Sequence, residues 1–255
     1  MSVMPVIFLG HGSPMVAIEQ NDITKTWERI GRNIPKPKAI LAISAHWFGN
    51  SNRVQSAEKP NQIFDMYGFP QALYEVRYEP KGDKTLSERV QTLLKDDIQI
   101  DDSWGIDHGT WSVLVHMFPN ADIPVVQLAI NMGAPRTTLL DIGRKLKPLR
   151  DEGCLVLGSG NIVHNLRRVE WNRTDGTEAA NRFDDWVEER IRARDFTALA
   201  DYQSHPDGSY AVPTTDHYIP LLYVLGMVDS EDRIDVVNRV RQMGSLSMTG
   251  YVFSR

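Results

Sequence analysis

Val6-Ile7-Phe8-Leu9 runs directly into Gly10-His11-Gly12-Ser13-Pro14. Four consecutive apolar residues leave no polar face, so the run reads as a strand covered on both sides, as in a parallel sheet. The glycines beside His11 supply the freedom of a tight turn and let a ligand approach the backbone. The same arrangement recurs downstream. The apolar run at residues 39–44 leads into Ala45-His46-Trp47, and that at 154–157 leads through the turn Gly158-Ser159-Gly160-Asn161 to His164. Residues 123–130 form a fourth run. Between the runs lie segments of helical spacing: residues 23–30, then Leu86, Val90, Leu93 and Leu94, then Leu139, Ile142, Leu146 and Leu149, then Phe183, Trp186, Val187 and Ile191. Alternation of this kind predicts an α/β layered sandwich with a mostly parallel central sheet.

Gly153 is expected to stop a helix before the strand at Cys154, and Gly31 or Pro35 to end the first helix. Residues 245–253 alternate in polarity and suggest an added antiparallel edge strand. Residues 50–84 carry many turn formers and weak periodicity, which predicts a long surface excursion of the kind that often serves as a lid. There is no repeat and no linker, so residues 1–255 are read as one domain.

The bulk properties exclude several classes of function. A hydrophobic content of 42% in 255 residues is ordinary for a globular chain that buries its own core. A net charge of −5, with no basic cluster beyond Lys36 and Lys38 around Pro37, argues against a nucleic-acid partner. The single cysteine, Cys154, rules out an internal disulfide and a cysteine zinc knuckle, and its apolar run suggests a buried thiol. No basic leader opens the chain and no apolar stretch approaches the ~20 residues of a membrane span, so a cytoplasmic location is expected.

Histidine placement is the informative feature. In an open α/β sheet, ligands bind beyond the carboxyl ends of the strands. His11, His46 and His164 fall at three such ends. His108, in Asp107-His108-Gly109-Thr110-Trp111, and His217, in Asp216-His217-Tyr218, sit in polar loops before apolar helical stretches. His116 lies in an apolar run and reads as a packed residue, and His205 as part of a turn. Imidazole suits Zn, Fe, Cu or Ni. Neither His-Glu-x-x-His nor Cys-x-x-Cys is present, so the fold itself must assemble the ligands, which favours a catalytic centre with open positions.

Six motifs, in order, carry a resemblance. They are Gly10-His11-Gly12-Ser13-Pro14-Met15, Ser44-Ala45-His46-Trp47, Tyr67-Gly68-Phe69-Pro70, Asp107-His108-Gly109-Thr110-Trp111, the stretch from Ser159 to Arg167, and His217-Tyr218-Ile219-Pro220-Leu221-Leu222. Together, from about Val3 to Met248, they resemble the 4,5-DOPA extradiol dioxygenases of the class III extradiol superfamily, relatives of the catalytic subunit of protocatechuate 4,5-dioxygenase. The resemblance implies one mononuclear divalent metal, Fe(II) for catalysis or Zn(II), with His11, His46 and His217 as ligands. It implies His108 as a catalytic acid/base or substrate-binding residue. It places His164 beside the metal, as a fourth ligand or a proton carrier. Asp216 is either support for the neighbouring imidazole or a helix cap, and the cap is preferred.

The activity implied is ring opening of a DOPA-like catechol by O₂. The metal stabilises the ionised diol, while His164 or His108 takes the second hydroxyl proton and returns one as the ring opens. Trp47, Phe69 and Tyr218 are candidates to wall the ring, with core filling as the competing reading. The partners expected are small molecules only, on a monomer or small homo-oligomer. Rival readings are a metal-binding interaction protein without turnover, a tetrapyrrole metallochelatase, and a zinc hydrolase.

Overall fold

The computed structural model describes residues 3–95 and 98–255. Met1 and Ser2, which entered the reading of the amino terminus, lie outside the described residues. Ten strands are present among the described residues: β1 (Val6–Gly10), β2 (Ala39–Gly49), β3 (Asn52–Val54), β4 (Ile98–Ile100), β5 (Val125–Asn131), β6 (Cys154–Gly160), β7 (Arg233–Val237), β8 (Arg241–Gln242), β9 (Leu246–Ser247) and β10 (Gly250–Ser254). Eight of them form one sheet in the order β4-β3-β5-β2-β6-β1-β10-β7. The central strands β5, β2, β6 and β1 are mutually parallel, and β10 and β7 extend the sheet antiparallel beyond β1. The helices are α1 (Asp22–Asn33), α2 (Gln71–Tyr74), α3 (Lys84–Leu94), α4 (His108–Met117), α5 (Arg136–Leu146), α6 (Pro148–Asp151), α7 (Glu178–Arg192), α8 (Phe196–Ala200), α9 (Gly208–Ala211) and α10 (Ile219–Gly226).

Successive side chains of a strand point to opposite faces, and here each face meets its own core. Val6, Phe8, Leu41, Ile43 and Val156 join a core with Leu86, Leu139, Phe183 and Leu222 from α3, α5, α7 and α10. Ile7, Leu9, Ile40, Ala42, Leu155 and Leu157 join another with Trp27 of α1 and Trp111 and Leu114 of α4. That double coverage is why these strands read as unbroken apolar runs. No helix among the described residues is long and apolar enough to cross a membrane.

Helix ends follow local chemistry. Asn21 caps α1 in a capping box with Thr24. The helix runs through Gly31 and stops at Asn33, so Pro35 and not Gly31 marks its end. Gly153 adopts φ +90° just before β6. Cys154 is buried and free.

Four expectations need correction. β2 does not end at Ser44 but runs to Gly49, so His46 and Trp47 belong to the strand. β6 includes Gly158 to Gly160, which read as a turn. The carboxyl-terminal strand β10 is interior rather than an edge, because β7 pairs along its outer side. Residues 50–84 are not a purely superficial excursion: β3 joins the sheet, and Gln55, Leu73 and Tyr78 are buried. Isolated anchors of this sort leave no periodicity to read.

One polar feature holds the floor of the sheet. Arg150 and Asp232 pair in a bidentate contact, Nη1–Oδ2 2.6 Å and Nη2–Oδ1 2.7 Å, with both side chains wholly buried. The guanidinium also donates to the carbonyls of Met4 and Met227 at 2.8 and 2.9 Å. A buried charge survives only when its donors are used up in this way.

Candidate metal centre

Parallel register brings the histidines together. Gly10 pairs with Gly160 and Ser44 with Ser159, so β1, β6 and β2 end side by side. His11 follows β1 at once, and its N–H donates to the carbonyl of Gly160 at 3.0 Å. In the pairing with β5, β2 advances from Ile43 to Phe48 while β5 advances only from Leu128 to Ile130. Bulges re-aim side chains near active sites, and this one carries His46. The carbonyl of His217, just ahead of α10, accepts from Asn161 N–H at 2.8 Å, tying the fourth segment to the end of β6. α4 closes the group from the other side with His108 as its first residue. A Cβ at Gly109 would strike Ser44 Oγ and lie 3.0 Å from Cδ2 of His46, so only glycine lets α4 approach β2 this closely.

His11, His46 and His217 each offer a ligand atom, and these lie within 4.8 Å of one another. Nε2 of His11 and Nε2 of His46 stand 3.1 Å apart. Two nitrogens each ~2.0–2.1 Å from one ion would stand ~2.9–3.4 Å apart for bond angles between octahedral and tetrahedral, so the spacing fits a shared metal. The opposite ring nitrogens are all held. Nδ1 of His11 lies 3.0 Å from Ser159 Oγ, Nδ1 of His46 is 3.0 Å from Asp65 Oδ2, and Nδ1 of His217 bonds Asp216 Oδ2. Such partners fix the tautomer that leaves Nε2 with its lone pair for a metal. A metal held by these three imidazoles alone would keep room for water or substrate, as catalytic centres do.

The electrostatics differ from ring to ring: burial favours neutral His11 and His217, while nearby carboxylates favour charge on His46. Burial, reinforced by His46, His217, His108 and His164, pushes His11 well below the ordinary histidine range. Burial lowers His217 as well, against the opposing pull of Asp216. Burial also disfavours charge on His46, but its hydrogen bond to Asp65 and the charges of Asp107, Asp65 and Asp216 outweigh it and raise that ring. Asp65 stays far below the carboxylate range despite its own burial, because His108 and His46 both donate to it.

Sequence reasoning missed Asp65 altogether, since it stands in the stretch read as a surface loop. It bridges His46 to His108: Oδ1 lies 2.9 Å from His108 Nδ1 and also accepts from the His108 backbone N–H at 3.1 Å. Asp107 is likewise hidden in plain sequence. It is fully buried and accepts from Ser44 Oγ at 2.6 Å, Trp104 Nε1 at 3.2 Å and Gln127 Nε2. Asp216 is no helix cap: α10 has no side-chain cap, and the carboxylate bonds the ring of His217.

His164 stacks face to face on His217, with ring centroids 3.5 Å apart and planes 8° from parallel. Burial, with His217 beside it, lowers its pKa to about 2. It groups instead with Asp216 and His217, so His217 is shared between this set and the His11–His46–His217 group. A cavity of about 340 Å³ opens over the cluster, lined by His46, His108, His164 and His217 together with Phe69, Met66 and a wall of apolar residues. The other two aromatics proposed as ring walls lie elsewhere. Tyr218 is wholly buried, packs on Tyr202 and Phe183, and donates its hydroxyl to the Leu199 carbonyl at 3.1 Å. Trp47 is 4% exposed and sits under the Arg53 guanidinium, 5.8 Å from the ring centroid. Alternation along β2 accounts for Trp47, since His46 already takes the cavity side. His116 is packed, bonding the Val16 carbonyl at 2.8 Å, and His205 accepts from Asp207 N–H within a turn.

Comparison with known proteins agrees with this geometry. Over 251 residues the chain is 43% identical to the 4,5-DOPA dioxygenase extradiol of Escherichia coli K12, covering 96% of this chain and 93% of that one. It is 31% identical to the protein of the same name from Beta vulgaris, over 99% and 97% of the two chains. An E. coli K12 protein solved by crystallography as uncharacterized superposes with a TM-score of 0.85 at 38% identity, covering 98% of this chain and 99% of that one. The first two of these relatives are both named as extradiol dioxygenases. Residues 5–254 match the catalytic LigB subunit of aromatic ring-opening dioxygenase, and the chain belongs to that family of dioxygenases.

Proposed function

We propose that this dioxygenase opens the ring of a catechol with O₂ at one divalent metal, iron(II) in the working enzyme, held by His11, His46 and His217. The observation that carries the reading is the convergence of one ring nitrogen each from His11, His46 and His217 within 4.8 Å of one another, each ring with its Nδ1 engaged, beside a cavity with apolar walls. A metal there would supply the Lewis acidity that favours the ionised diol. The remaining work falls to residues of the chain. Asp65 accepts from Nδ1–H of His108, which leaves Nε2 of His108 as a proton acceptor and holds a carboxylate ready to stabilise the imidazolium formed. His164, on the cavity wall and parallel to His217, is the second group able to take or return a proton. Phe69 and Met66 cover the cavity and keep water from the reacting ring.

The test is oxygen uptake by purified protein, loaded anaerobically with Fe(II) and given catechol, DOPA, caffeate or protocatechuate, with zinc-loaded protein as control. Iron-dependent uptake and a new visible absorption from a ring-opened product are expected. No uptake with any of these diols, at one metal per chain, would overturn the catechol assignment.

A further inference from the structure

The cavity above the histidines has a second part, and its chemistry restricts what a catechol can carry. Fifteen residues line the cavity, and none of them is Asp, Glu, Lys or Arg. Away from the histidines the polar side chains are those of Ser13 and Gln242. The outer wall consists of Leu166, Val169, Trp171, Met243 and Leu246. Leu166 and Trp171 stand 64% and 77% exposed, so the apolar surface continues out through the mouth. Large exposed apolar groups around a concave opening mark a binding surface.

Most charged groups near this wall are already engaged. Arg241 turns away to Asp184 at 2.6 Å and to Asp185. Arg173 bonds Asp175 at 2.7 Å and the Gly176 carbonyl at 3.0 Å, with Glu170 beside it. Asp65 and Asp216 are committed to histidine rings. Arg167 and Arg168 follow Leu166 but are exposed and line no part of the cavity, and attraction through open solvent is screened by salt.

Building on the catechol reading above, we infer that the substrate carries an uncharged, apolar substituent on the diol ring, which this wall receives. An amino-acid side chain such as that of DOPA would bring an ammonium and a carboxylate against leucine, valine, methionine and tryptophan, with no ionic partner for either. Stripping water from such groups without compensation is strongly unfavourable. An alkyl or aryl substituent meets the opposite situation, since every methylene placed on the wall leaves water.

The experiment compares DOPA with 4-propylcatechol, which has a similar carbon skeleton without the charges, and adds catechol and the 4-methyl to 4-butyl series. Binding to zinc-loaded protein is measured by titration calorimetry, and kcat/KM on the iron-loaded enzyme in parallel. Affinity is expected to rise up to about fourfold per added methylene while the wall can cover it, with 4-propylcatechol at least ~10-fold tighter than DOPA. Trp171→Ala, at a position too exposed to unpack the core, should shrink the ratio between 4-propylcatechol and catechol. Equal or tighter binding of DOPA, with catechol itself bound and opened, would overturn this inference alone. Failure of every diol to bind or react would overturn the catechol reading and this inference with it.

Discussion

Asp65 Oδ2 lies 3.0 Å from Nδ1 of His46, while its other oxygen takes Nδ1 of His108 at 2.9 Å. One carboxylate therefore orients both rings, the proposed metal ligand His46 and the proposed proton carrier His108. Replacing it with Asn keeps the shape but removes the charge and offers a single acceptor oxygen. Asp65→Asn should weaken metal binding about 10–100-fold, the usual effect of losing a partner behind a ligating histidine. A chelator competition titration with Zn(II) reads this directly. Unchanged affinity would mean that Asp65 serves His108 alone.

Arg150 and Asp232 should be the costliest single pair to break. Neither side chain reaches water, and the pair joins the chain before β1, the end of α6 and the turn before β7. Removing one partner leaves the other charged and uncompensated in the interior. Asp232→Asn and Arg150→Met are each expected to lower stability by about 3–5 kcal/mol, seen as a fall in urea midpoint at constant m-value. A loss under 1 kcal/mol would show that the buried partner had found water.

The sheet was legible because its central strands are covered twice and so lack polar positions. His11, His46 and His164 could be picked out for the same reason, since each follows a point where an apolar run stops, at Leu9, Ser44 and Leu157, although β2 continues through His46 and β6 through Gly160. What escaped has a common physical character. Asp65 lies in a segment anchored by scattered contacts such as Leu73 and Tyr78, which carry no period. The extension of β2 through His46 and Trp47 depends on a bulge against β5, a relation between distant segments that neither strand shows alone. Tyr218 follows a site histidine in sequence yet points into the core at Tyr202, because the short turn before α10 sends neighbouring side chains in different directions.

Acid should act partly through Asp229. Its hydrogen bond from Lys147, with support from Arg255 at 2.6 Å, holds the carboxyl below its ordinary range. A carboxyl depressed in the folded state stabilises the fold above its unfolded pKa of ~3.9, and that contribution disappears as pH falls through the folded value. Asp229→Asn should therefore cost up to ~1 kcal/mol at pH 7, an upper limit because Lys147 is partly exposed and screened. The difference from the parent should close towards pH 2 and stay constant between pH 6 and 8. Urea midpoints across this range test it, and a difference that persisted at pH 2 would place the effect in packing instead.

His108 and His11 should fail differently, and the contrast separates proton transfer from ligation. His11 Nε2 faces Nε2 of His46 inside the His11–His46–His217 group, whereas His108 belongs to a neighbouring group with His46 and Asp65. In His108→Ala the Asp65 carboxylate still has Nδ1 of His46 as a partner, so the orientation of the His46 ring should survive. Metal content after gel filtration should stay near that of the parent, while kcat/KM falls ~10²–10⁴-fold, the range for a lost general acid or base. In His11→Ala, metal and turnover should disappear together, because two imidazoles remain where three converged. If His108→Ala instead emerged without metal, His108 would be a ligand, and the proton-transfer role would pass to His164.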